Sequence, residues 1–368
     1  LYDSGMHVPL VVRIPEKYRS EQQGRPGSVN DELVSLIDLA PTMLHLAGLS
    51  LPSYFQGRAF LGSSLEKPRQ YVYGARDRMD ERYDIIRAVR DKKFKYLRNY
   101  EPFKPYYQYM NTPEKGATMQ ELRRQHAAGK LPPAARLFMA DSKPAEELYD
   151  TTVDPHELNN LAENPLYRET LIRMRRAHLD WVSETRDVGL IPEPEIIVRE
   201  KELGSRYAIL RQEGAKSLVA NLRQVANLGL AGTDGLDDLN RALASPDAAI
   251  RYWALVGLGN LSEKAAASAD AVTRHLDDPS AIVRIAAARA LARMDMPGPA
   301  LVVLQKELAS SEEWVRLNAA IVLDEMDEQA RPAIMALKGA VKDRQNKYVV
   351  RVANRALNEL LGTSTIVP

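Results

Sequence analysis

Asp278-Pro279-Ser280-Ala281-Ile282-Val283-Arg284, followed by Ala287, Ala290 and Leu291, is the stretch that decides the fold of the C-terminal part of this chain. Asp-Pro pairs a capping side chain with a ring suited to the first helical position. The apolar run behind it carries small residues that let a second helix approach closely. Working outward, the pattern recurs as Ser245-Pro246-Asp247-Ala248-Ala249-Ile250-Arg251 and as Ser310-Ser311-Glu312-Glu313-Trp314-Val315-Arg316. In the latter, Ser310 and Glu313 have capping-box spacing. A weaker copy ends at Tyr348-Val349-Val350-Arg351. The arginines step by 33, 32 and 35 residues (284−251, 316−284, 351−316), and each precedes an Ala-rich run closing on Leu258, Leu291, Leu323 or Leu357. A period of about 33 residues with two helices per unit predicts an α-solenoid. An arginine at a fixed place in such a unit predicts a capping or inter-repeat hydrogen-bond donor.

Three textures divide the chain. Residues 1–200 hold most of the prolines and aromatics, 201–235 read as a helical connector, and 236–362 are the repeats. In the first part, Val8 to Ile14 predicts a buried strand and Val34 to Ile37 a second one. Asp38 suits the N-cap of a helix with Pro41 in its first turn and Gly48 just past its end. Tyr71–Tyr73 and Ile85–Arg90 read as strands, the latter turning at Asp91-Lys92-Lys93 into Phe94–Leu97. Lys92, Lys93 and Lys95 are expected on an exposed hairpin face. Residues 101–141 read as irregular, with a polar helix near Thr118–Ala128. Leu148-Tyr149 is a short strand, and Leu166 to Val182 an amphipathic helix.

Composition bounds the function. At 368 residues there is room for two or three domains. Lys plus Arg number 50 and Asp plus Glu 49, a net charge of +1 that argues against a nucleic-acid partner. No apolar run approaches the roughly 18 residues of a membrane span. There is no cysteine, which excludes disulfides, thiolate metal sites and a cysteine nucleophile within this chain and leaves the compartment open. The densest charged stretch is Arg76-Asp77-Arg78-Met79-Asp80-Glu81-Arg82, expected as a loop between two strands. It reads either as a ligand contact or as a solvated, self-neutralising loop. His7 reads either as a pocket residue or as a buried histidine bonded to a carbonyl. His156 reads as a turn and helix-start residue.

The repeat pattern resembles short HEAT-like repeats. The opening Leu1-Tyr2-Asp3-Ser4-Gly5-Met6-His7-Val8-Pro9 resembles the sulfatase segment written Tyr-Glu-Gly-Gly-x-Arg-Val-Pro. Tyr2, Gly5, Val8 and Pro9 match; Asp3, Ser4 and His7 depart from it. Asp38, Ala40, Pro41, Thr42, Leu44 and Gly48, then Gly57, are similar to the helix and turn that follow in sulfatases. Arg87-Ala88-Val89-Arg90-Asp91 with Lys95-Tyr96 is similar to the hairpin of their C-terminal subdomain. Glu147-Leu148-Tyr149-Asp150 and Asp154-Pro155-His156-Glu157-Leu158-Asn159-Asn160-Leu161-Ala162 resemble their closing signature. The resemblance covers about residues 1–185 and leans toward the heparan N-sulfatase-like branch.

This resemblance implies an α/β fold: the end of an alkaline-phosphatase-like sulfatase core with a small antiparallel subdomain, here joined to an all-α HEAT-like solenoid. It implies hydrolysis of sulfate esters or sulfamates of sulfated saccharides by a formylglycine nucleophile and a Ca2+ ion. No Cys and no matching Ser-x-Pro-x-Arg occurs in a strand-to-helix setting, so the nucleophile, cation ligands and general acid are expected upstream of Leu1, and this chain alone is expected to be inactive. In the family the C-terminal subdomain packs beside the active site. The resemblance therefore brings Arg76, Asp77, Arg78, Asp80, Arg82 and His7 to the substrate, guanidiniums holding sulfate and carboxylates accepting sugar hydroxyls. It also implies a bacterial protein of the periplasm or exterior. The repeats are expected either to bind a protein partner or to dock within the chain. Two other readings stand beside this one: a phosphodiesterase or phosphonate hydrolase of the same superfamily, and a non-catalytic scaffold carried by the repeats.

Overall fold

A computed structural model describes residues 1–19 and 25–368. They form two compact units that do not follow chain order. One comprises residues 1–76, 86–99 and 146–181, the other 77–85, 100–145 and 182–368.

An antiparallel sheet has its strands in the order β1 (Val72–Met79), β2 (Arg82–Arg90), β3 (Phe94–Asn99) and β4 (Glu146–Asp150), and all of it but residues 77–85 belongs to the first unit. The β2–β3 register runs from Ile86 opposite Asn99 to Arg90 opposite Lys95, and β3–β4 from Phe94 opposite Asp150 to Arg98 opposite Glu146. Asp91 closes the β2–β3 turn by accepting the amides of Lys93 and Phe94 at 2.8 and 2.6 Å. Alternation sorts side chains to two faces. Val89, Tyr96 and Leu148 pack on Leu171, Met174 and Ala177 of the helix Arg168–Thr185. On the other face Ile86, Ala88, Leu97 and Tyr149 are covered by Leu1 and Tyr2.

Two local expectations change. Residues 8–14 form no strand among the described residues; the run lies open, with Val11 91% exposed, because no partner strand pairs with it. Val34 to Ile37 leads instead into a 3₁₀ turn, Leu36–Asp38, closed by a reciprocal Ser35–Asp38 capping box. Asp38 also stands, as expected, at the N-cap position of the helix Leu39–Leu46, though its side chain is turned to the Ser35 amide and makes no cap bond to that helix. Gly48, at φ +72°, ends this helix as expected, with the Leu49 amide reaching the Leu44 carbonyl at 2.9 Å. Gly57 leaves no room for a side chain: a Cβ there would lie 2.1 Å from the Ile37 carbonyl oxygen.

The second unit contains the solenoid. Its repeat helices are Ala248–Leu261, Ala281–Arg293, Glu313–Glu325 and Lys347–Leu361, with Pro297–Leu308 and shorter helical pieces between them. Val283, Ala287 and Leu291 are fully buried, and Gly259 stands in close contact with Ala290. The starts differ from expectation. Asp247 caps the first repeat helix through the amides of Ala249 and Ile250, so Pro246 precedes the cap. Ser280 and Glu312 are the caps of the next two, and the expected Ser310–Glu313 box does not form. The reason is the arginine. Arg251 donates to the carbonyls of Ser245 and Pro246, Arg284 to Asp278 and Pro279, and Arg316 to Ser310 and Ser311, so each loop is wrapped around a guanidinium. The same side chains reach forward at 2.7–2.8 Å, Arg251 to Asp278 and Arg316 to Asp343 as the expected inter-repeat donors, and Arg284 to Glu307 of Pro297–Leu308 within its own unit.

Candidate functional site

The charged stretch is not a loop. β1 continues to Met79 and β2 resumes at Arg82, leaving Asp80-Glu81 as a two-residue turn with Asp80 at φ +49°, a conformation aspartate tolerates. Residues 77–85 of this hairpin tip belong to the same unit as the repeats, and its side chains are held there.

Arg82 is 4% exposed. Its Nε donates to the Tyr109 carbonyl at 2.6 Å, and its Nη2 lies 2.7 Å from Asp324 of the third repeat helix. The other oxygen of Asp324 takes Arg355 at 2.6 Å. Glu81, also buried, accepts the Asn111 amide at 2.5 Å and faces Arg351 of the last repeat helix at 3.4 Å. Arg78 pairs with Glu193 at 2.8 Å, donates to the Asp80 carbonyl, and lies over the rings of Trp314 and Tyr348, 4.2 and 5.3 Å from their centres. The Tyr348 hydroxyl reaches Asp80 at 3.4 Å. Arg76 and Asp77 are half-buried in β1, and Met79 between them and the turn is exposed.

Behind the tip the chain wraps it with residues 100–111. Glu101 accepts the Ile85 amide, and Lys104 and Gln108 donate to the Tyr83 carbonyl. Burial opposes ionisation of Glu101, but Lys104 at 2.7 Å, with Arg289 and Lys143 near, holds its carboxyl below the usual range. Burial lowers the Lys143 ammonium although Asp84 lies 2.9 Å away. Tyr83 is pushed well above the usual phenol range, chiefly by burial and then by Glu193 and Asp77.

His7 lies in the first unit with its side chain 72% exposed and 3.9 Å from Asp3, so it is not the buried histidine one reading expected. His156 lies in a turn, with no helix starting there. Beside His7 is a cluster the sequence did not reveal. Lys95, expected on an exposed face, is 2% exposed and bridges Asp3 at 2.8 Å and Glu157 at 3.1 Å. Arg90 adds a second cation to Asp3, and Glu157 also accepts the Asp3 amide. Burial disfavours both carboxylates. Lys95 and Arg90 outweigh it at Asp3, whose pKa is lowered, whereas burial prevails at Glu157, whose pKa is raised. The cluster ties the opening motif to the closing one, as does Tyr2, whose hydroxyl donates to Glu147 at 2.7 Å.

The described residues do not fit a formylglycine or a Ca2+ centre. The chain has no cysteine, and among the described residues no group of His, Cys, Asp and Glu could hold a metal ion. Nor, among them, is any helix long and apolar enough to cross a membrane.

Residues 1–131 match the family model of the N-sulphoglucosamine sulphohydrolase C-terminal part, and residues 269–358 match HEAT repeats. An ulvan-active sulfatase of Formosa agariphila is 43% identical over 197 residues, covering 54% of this chain and 32% of that protein. A second ulvan-active sulfatase of that organism is 31% identical over 199 residues, covering 50% and 35%. The human N-sulphoglucosamine sulphohydrolase is 29% identical over 216 residues, covering 55% and 41%. The chain thus spans about a third to two fifths of the length of these relatives.

Proposed function

We propose that this chain is the C-terminal part of a sulfatase that acts on sulfated saccharides, ulvan-type polysaccharides foremost, outside the cytoplasm of a bacterium. The observation that carries this reading is the convergence of the opening and closing motifs. Asp3 and Glu157 meet on Lys95, with Arg90 also on Asp3, and Tyr2 bonds Glu147; Tyr2, Asp3, Arg90 and Lys95 fall within the residues 1–131 that match the sulfatase model. Formylglycine and Ca2+ chemistry would be supplied by sequence outside the described residues. The open apolar run 8–14 suits a segment covered by a further part of such a protein.

Among the six candidate contacts, the hairpin tip divides by role. Arg78, Asp80 and Arg82 hold the tip, and of the other candidates Arg76 and the exposed His7 in the first unit and Asp77 in the second are each proposed as contacts of a sugar sulfate. A guanidinium binds sulfate bidentately, and an imidazole adds a donor that strengthens on protonation.

The test is sulfate release by the protein at its full length, assayed on sulfated ulvan oligosaccharides and on N-sulfated heparan fragments with and without a calcium chelator. Chelator-sensitive release from ulvan oligosaccharides is expected. Release from heparan fragments alone would move the substrate to glucosamine N-sulfate. No release from either, with cleavage of a phosphodiester instead, would replace the sulfatase reading by the phosphoryl one.

A further inference from the structure

The last repeat helix, Lys347–Leu361, departs from the pattern of the others. At the place of Asn354 they carry Ala254, Ala287 and Ala319 when counted from the repeat arginine, or Leu255, Ala288 and Ala320 when counted from the helix start, all fully buried. Asn354 is buried as well, but it holds a backbone. Its Nδ2 donates to the Thr365 carbonyl at 2.8 Å. Asn358, one turn on, donates to the same oxygen at 2.9 Å and accepts the Thr365 amide at 3.0 Å. Arg251, Arg284 and Arg316 each wrap their own loop, whereas Arg351 donates to the Pro368 carbonyl at 2.8 Å. From the facing segment Asn111 donates to the carbonyls of Val367 and Pro368 at 3.3 and 3.2 Å, and Lys115 to that of Val367 at 3.3 Å. All of these residues lie in the second unit.

These side chains form a groove, and the chain already fills it. Gly362, left-handed at φ +63°, ends the helix and turns residues 363–368 back along it, in neither helix nor strand. The bonds go to the main chain of this tail, so they read an extended backbone and leave its side chains little constrained. Within the tail only Val367 is buried; its neighbour Ile366 is 80% exposed. A helix face shaped for the next repeat would be apolar, as in the earlier helices. Amide and guanidinium donors aimed at successive carbonyls serve a different purpose.

We propose that the last repeat helix and residues 111–115 form a binding groove for an extended segment of another protein, with residues 363–368 as the built-in occupant that such a segment displaces. The segment that fits offers carbonyls at the places of Thr365 and Val367 and a small β-branched side chain where Val367 is enclosed. The tail holds its place by being tethered, which gives it an effective concentration of about a millimolar. With one enclosed side chain it has few contacts that an untethered segment could not also make. This proposal stands apart from the sulfatase reading and does not depend on it.

The probe is a synthetic peptide of residues 362–368, Gly-Thr-Ser-Thr-Ile-Val-Pro, fluorescein-labelled at its N-terminus and amidated at its C-terminus, with binding followed by fluorescence anisotropy. Val367→Gly removes the enclosed side chain from the protein's own tail and loosens its backbone, so the groove stands open more of the time. The peptide is expected to bind the Val367→Gly protein about tenfold more tightly than the unaltered protein, whose tail competes. Asn354→Leu, added to Val367→Gly, restores the residue of the first repeat helix and should weaken the peptide about tenfold or more, with helical circular dichroism unchanged. Should that variant fail to fold, Asn358→Ala, at a more exposed position, takes its place with the same expected direction. Equal binding to the unaltered and Val367→Gly proteins, no binding to either, or binding that survives loss of the asparagine overturns the proposal.

Discussion

Lys93 and Lys95 lie two positions apart, and the structure gives them opposite weights. Lys93 is half out in solvent beside Asp150, whereas Lys95 is enclosed between Asp3 and Glu157. Lys95→Met leaves two buried carboxylates without their shared cation and is expected to cost about 3–5 kcal/mol, the range for breaking one half of a buried pair. Lys93→Ala removes an exposed pair worth about 0–1 kcal/mol. Urea unfolding of the two variants separates these values, and equal midpoints would show that the cluster carries no stability. Nothing near Lys95 in the chain signals its burial. Its partner Asp3 is 92 residues away, and strand alternation alone assigns Lys95 the same side as solvent-facing lysines. His7 shows the converse: a lone histidine beside an apolar run suggests a core, but that run is open.

At the scale of the element, the repeat helices were legible because their signals are local. Helix Ala281–Arg293 is buried on nearly all sides, so any polar replacement at its centre meets a neighbour. Ala287→Asp is expected to bury an unpaired carboxylate at a cost of several kcal/mol. Because repeats are stabilised chiefly by adjacent repeats, protection from hydrogen exchange should fall across 248–358 and also in 77–85, while the sheet core around Val89, Tyr96 and Leu148 keeps its own. A uniform loss in both units would contradict this. The arginine ladder adds a pH dependence. Burial disfavours ionised Asp278 and Asp343, yet Arg251 and Arg316 bond them and hold both below the usual aspartate range. A carboxylate with a lowered folded pKa stabilises above its unfolded value of about 3.9 and loses that contribution as pH falls through the folded one. Helical circular dichroism is therefore expected to hold through pH 5 and fall below about pH 4, and Asp278→Asn should flatten that fall. An acid transition of the same depth in the variant would assign it to other groups. The capping details were less legible than the helices. Ser-Pro and Asp-Pro marked each start correctly to within two residues, but the arginine, six positions on, takes the loop carbonyls and moves the cap past the proline.

For the whole molecule, residues 1–368 by themselves are expected to hydrolyse no aryl sulfate, with or without Ca2+. Loss of a complete catalytic set commonly costs about six orders of magnitude, and the described residues hold neither a cysteine nor a cation cluster. Calcium-dependent turnover by this chain would refute that and relocate the chemistry into it.

By itself the sequence determined the repeats, their arginines, the β2–β3 hairpin and the motifs that resemble a sulfatase, because a period, a cap or a turn is written in residues that touch near neighbours in the chain. The tertiary structure alone decided that Lys95 is enclosed, and that Arg78, Glu81 and Arg82 face Glu193, Trp314, Arg351 and Asp324. Those pairings join residues more than a hundred positions apart, where no periodicity relates one to the other. Only the folded chain, closing its buried charges on whichever opposite charge lies within reach, selects them.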